Sequence, residues 1–101
     1  MTHRADEPRI RKWTWYIEPE GSYTNMVVSQ IIPDELCHEG KLCADGAKRN
    51  LWECRNYSDL SRLVRERQEL GIRFNIFVQE GRGAIKRWRF TSRVRRTVSA
   101  R

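Results

Sequence analysis

The sequence predicts an α+β fold: an antiparallel sheet of about five strands with one helix packed on one face, in the order β-β-β-α-β-β, with flexible termini. Three observations predict it. Residues 11–18, 72–79 and 84–90 alternate along the chain with the period of two that marks strands. Residues 58–70 instead space their leucines and valine at helical intervals. A length of 101 residues fits one domain with one modest core. The charged fraction of 33% would suit a disordered chain, but four Trp, three Tyr and three Phe argue for a folded interior. The expected organisation is an arm at 1–10, a single domain at 11–91 and a basic C-terminal tail at 92–101.

The elements follow in order. Trp13, Trp15 and Ile17 alternate with Lys12, Thr14 and Tyr16, and aromatic residues in that rhythm favour a strand. Residues 19–22, Pro-Glu-Gly-Ser, form a turn. The β-branched run at 24–32, closed by Pro33, predicts a second strand hairpinned to the first. Residues 33–49 hold Pro33, Gly40 and Gly46 and are expected as a long irregular connection, with a helical turn near Asp34. Residues 50–55 predict a short strand in which Trp52 and Cys54 share a face.

Ser58 can cap the helix that follows, with Asp59 in its first turn. Leu60, Leu63, Val64 and Leu70 form its apolar stripe, and Gly71 ends it. In the next strand Ile72, Phe74, Ile76 and Val78 face one way, while Arg73, Asn75, Phe77 and Gln79 face the other. The turn at 80–83 carries two glycines and leads into the last strand. There Trp88 and Phe90 share one face, and Ile85, Arg87 and Arg89 the opposite one.

Charge is the strongest functional signal. The net charge is +7, but residues 1–50 hold seven Lys/Arg against eight Asp/Glu, and residues 51–101 hold thirteen against five. From Arg82 to Arg101 there are eight basic residues and no acid. One-ended positive charge attracts polyanions. Sixteen of the twenty cations are arginines, which pair bidentately with phosphate and stack on bases. If the helix covers the Trp88 face, the opposite face displays Arg73, Phe77, Arg87 and Arg89. An exposed ring among arginines suits single-stranded nucleic acid, with Arg93, Arg95 and Arg96 adding affinity from the tail. The alternative for that face is that Phe77 is covered, by a tail, a second subunit or the connection at 33–49.

Other chemistries lack support. Cys37, His38, Cys43 and Cys54 do not have the paired spacing of structural zinc, so the cysteines are expected as free thiols without a metal. His38 beside Cys37 or Cys43 is the one nucleophile–base combination, and the carboxylates at 34–45 have no diagnostic spacing; no catalytic residue or cofactor is assigned. No apolar run reaches the ~20 residues of a membrane helix, and the first residues lack a secretory pattern, so an intracellular chain is expected. The expected function is a non-catalytic nucleic-acid-binding or nucleoprotein-associated domain. The alternative is a compact inhibitor or adaptor of the phage or viral kind, docking on a host protein by its aromatic surface and acidic loop, with an acidic protein surface as the partner for its arginines; a homodimer is compatible with either.

Overall fold

A computed structural model describes residues 12–89. The arm expected at 1–10, the tail at 92–101, and with them Phe90, Arg93, Arg95 and Arg96 lie outside the described residues. The elements are β1 (Trp13–Pro19), α1 (Ser22–Ile31), a 3-10 turn (Asp34–Leu36), β2 (Cys37–Leu42), β3 (Lys48–Glu53), α2 (Tyr57–Leu70), β4 (Phe74–Glu80) and β5 (Ile85–Trp88). The five strands form one sheet in the order β2-β3-β1-β4-β5, with every neighbouring pair antiparallel. The α+β class with an antiparallel five-stranded sheet therefore holds. The order β-β-β-α-β-β with one helix does not: there are two helices, in the order β-α-β-β-α-β-β.

That order has a simple logic. Strands β1 and β2 run parallel with β3 between them, and β3 and β4 run parallel with β1 between them. Each helix thus spans a split pair whose slot is filled by a strand of the other unit, the ferredoxin-like arrangement, here extended by the β4–β5 hairpin. Both helices lie on one face. Their buried residues Val27, Val28, Ile31, Leu60 and Leu63 join Ile17, Trp52, Phe74 and Ile76 of the sheet in the main core.

The expected strand at 24–32, and its hairpin with the first strand, is corrected to helix α1. Thr24, Val27, Val28 and Ile31 are its buried positions, at the i, i+3, i+4, i+7 spacing of a helix face. Burial of that stripe outweighs the modest helix penalty of its β-branched residues. The connection expected at 33–49 contains strand β2, whose pairing with β3 slips between His38 and Lys41 around Gly40, at φ 68°. Such a bulge breaks the period of two and hides an edge strand from pattern reading.

Helix α2 begins one residue before Ser58, with Asn56 rather than Ser58 as its cap. The Asn56 carboxamide oxygen accepts from the Asp59 amide at 3.0 Å, and Gly71 ends the helix in the left-handed conformation at φ 71°. Leu70, expected in the apolar stripe, is 46% exposed. Arg67 extends the packing instead, its guanidinium 4.4 Å from the Phe74 ring centre. Arg55 joins the two helices: it holds the Asp59 carboxylate at 2.9 and 3.2 Å and donates to the Ile31 carbonyl at 3.1 Å. Asn56→Ala removes the cap and is expected to cost about 1 kcal/mol, measured as a lowered urea midpoint at unchanged slope.

Candidate functional site

The face of the sheet away from the helices is not open. Tyr16, Leu51, Phe77 and Ile85, one from each of β1, β3, β4 and β5, form a second buried cluster with Cys43. Cys43 comes from the turn between β2 and β3, which closes through Cys43 N–H to Ala47 O and Gly46 N–H to Cys43 O. The next amide, Ala44 N–H, donates to the Ile85 carbonyl on β5 at 2.8 Å. β2 and β5 are the two outer strands, so the turn that leaves β2 crosses the sheet to reach β5. It lies over the face opposite the helices.

Phe77 is the residue most affected. It is only 2% exposed, so it cannot act as the stacking platform expected among the arginines. The segment that covers it belongs to the 33–49 connection. Two guanidiniums flank its ring, Arg49 at 4.9 Å and Arg87 at 5.6 Å from the centre. Their electrostatic situations differ. Arg49 is engaged bidentately by Asp45 at 2.9 and 2.8 Å and lies 3.6 Å from Glu18. The Arg49 guanidinium, bonded to the Asp45 carboxylate, holds that carboxyl below the usual range. Arg87 makes no ion pair among the described residues.

Arg87 and Arg89 line one pocket with Phe77, Ile85, Lys86 and the turn residues 43–45, a recess of about 200 Å³. Three cations meet one carboxylate there, and that carboxylate, Asp45, is already bound to Arg49. The recess therefore keeps a positive excess suited to an anion. Arg73, expected on the same surface, does not line it. Arg73 precedes β4, where its backbone is tied to Thr24 Oγ1 and Glu20 N–H. Asn75, which follows it on that face, donates to both Glu18 and Glu20 at 2.9 Å, and these acids interrupt the basic surface.

The other side of β5 carries a feature that the sequence reading missed. α2 packs onto the sheet through Leu60 and Leu63, while Trp88 beyond it remains 41% exposed. Between α2 and β5 lies a groove of about 430 Å³ lined by Trp15, Tyr57, Leu60, Ser61, Val64, Ile76 and Trp88. Trp15 and Trp88 meet edge to face, with ring centres 5.2 Å apart, and Tyr57 is 68% exposed. The parity of Trp88 was legible. That a fifth strand would extend past the helix was not.

The cysteines are free, and no group of three metal-ligating side chains converges among the described residues. His38 Nε2 lies 2.9 Å from Glu53 Oε1, and its ring meets Tyr16 edge to face. Cys37, adjacent to it on a strand, packs toward the helix-side core instead. Burial pushes the Cys54 thiol up to about 12, with Asp59 and Glu53 adding to the shift. A neutral thiol is a poor nucleophile, so Cys54 should resist iodoacetamide at pH 8 until the chain is denatured, when mass spectrometry should find it modified. Rapid native labelling of Cys54 would contradict its burial. No helix among the described residues is long and apolar enough to cross a membrane.

No family model, curated protein or solved structure matches the chain. Function has to be read from the site's own chemistry.

Proposed function

We propose that the chain is a non-catalytic nucleic-acid-binding domain that holds single strands along the β5 edge of its sheet. One observation carries the reading: Lys86, Arg87 and Arg89 crowd an outer strand with no acidic partner among the described residues. The same run continues in sequence through Arg93, Arg95 and Arg96 without an acid. Phosphates would be taken by Arg87 and Arg89 at the recess beside Ala44, whose single carboxylate is already neutralised. Arg73 and Phe77 leave the proposed site, the first because acids intervene and the second because it is buried.

An acidic protein segment is the second reading. It is favoured by the outer position of β5, where an added strand could pair beyond the Ile85 carbonyl that Ala44 occupies. Fluorescence anisotropy of a labelled 12-nucleotide single strand at low salt decides between them. Saturable binding supports the nucleic-acid reading. Absence of binding overturns it and transfers the same arginines to an acidic protein surface.

A further inference from the structure

We infer that the groove between α2 and β5 is a nucleobase site, so that one edge strand reads a single strand from both sides, phosphate on one and base on the other. This deepens, and rests on, the nucleic-acid reading above. The period of two along β5 puts Arg87 on the side away from the helices and Trp88 on the helix side of the same strand. A polymer lying along this edge therefore meets cations and aromatic faces one residue apart.

The groove's construction fits a flat heterocycle. It is lined by the rings of Trp15, Trp88 and Tyr57, by the aliphatic side chains of Leu60, Val64 and Ile76, and by Ser61. At about 430 Å³ it lies within the roughly 300–1,000 Å³ of small-molecule sites. The edge-to-face contact of Trp15 and Trp88 engages a face of one ring and only the edge of the other, which leaves aromatic surface for stacking. Charge complementarity selects the occupant. Lys86, Arg87 and Arg89 border the edge, and the one acid of their recess, Asp45, is taken by Arg49. An apolar peptide would fill the groove and leave those cations unused. A nucleotide, with an aromatic base joined to a phosphate, satisfies both sides.

The test uses the full chain and two labelled 12-mers of equal charge, oligo(dT) and an abasic deoxyribose-phosphate chain, compared by anisotropy at low salt. Stacking of one base is expected to make oligo(dT) bind about 5- to 150-fold more tightly. Tyr57→Ala, at an exposed position, and Trp88→Ala should each remove most of that preference, with Trp88→Phe restoring part of it. Equal binding of the two oligomers overturns the base site while leaving the phosphate reading intact. A preference that survives in both alanine variants also overturns it, and gives the groove to residues 90–101 or to a second copy of the chain. Binding of neither oligomer overturns this inference together with the reading beneath it.

Discussion

Phe77→Ala is expected to destabilise the folded chain by about 3–5 kcal/mol, as large a loss as any single substitution here. Phe77 is nearly fully buried at the centre of the smaller cluster, against Tyr16, Leu51, Ile85 and Cys43. Truncation leaves a void on a face that has no helix to settle into it. It also removes the ring against which the Arg49 and Arg87 guanidiniums rest. The measurement is urea unfolding, and Tm should fall by roughly 4–8 °C for each kcal/mol. Leu63→Ala, in the larger helix-side cluster, provides a comparison at about 2–5 kcal/mol. A cost for Phe77→Ala below about 1 kcal/mol would mean that the β2–β3 turn does not close over the ring. The variant's folded fraction should still bind nucleic acid, because a buried ring offers no stacking surface.

How much was legible in the sequence follows from which residues carried conflicting signals. β4 was legible because Phe74, Ile76 and Val78 alternate with Asn75, Phe77 and Gln79, and both faces of that interior strand are packed. α1 carried two signals at once. Its β-branched residues favour a strand, while the spacing of Thr24, Val27, Val28 and Ile31 favours a helix, and tertiary burial decided for the spacing. β2 carried almost none, since its outer position and its bulge at Gly40 leave the strand without a fully buried residue and out of rhythm. For the site, the faces of Phe77, Ile85, Arg87 and Trp88 could be read from parity. Their accessibility could not. Phe77 is covered by Cys43 and Ala44, more than thirty residues away in sequence, and Trp88 is left uncovered by the reach of a helix that local patterning does not specify.

Raising salt from 50 to 200 mM is expected to weaken single-strand binding by roughly 250-fold, from counterion release at about six phosphates. The six cations are Lys86, Arg87 and Arg89 on or beside β5, with Arg93, Arg95 and Arg96 beyond it. At about −0.7 per phosphate the slope of log K against log salt lies near −4. Two variants divide that slope. Arg87→Ala with Arg89→Ala should flatten it by about 1.4, and alanine at Arg93, Arg95 and Arg96 together by about 2. Each loss should be uniform across sequences, because phosphate contacts position a strand without reading it. Tyr57→Ala behaves differently: it should lower affinity at every salt concentration and leave the slope nearly unchanged, since stacking releases no counterions. The partition between the two arginine groups is the informative result. If only the residues at 93–96 alter the slope, the folded edge contributes no phosphate contact, and the recess at Arg87 and Arg89 loses its proposed role. If both alter it in the expected ratio, the edge strand and the basic run after it engage one continuous polyanion. Arg49→Ala should also flatten the slope, because it frees the Asp45 carboxylate to compete with phosphate for Arg87 and Arg89 at the recess.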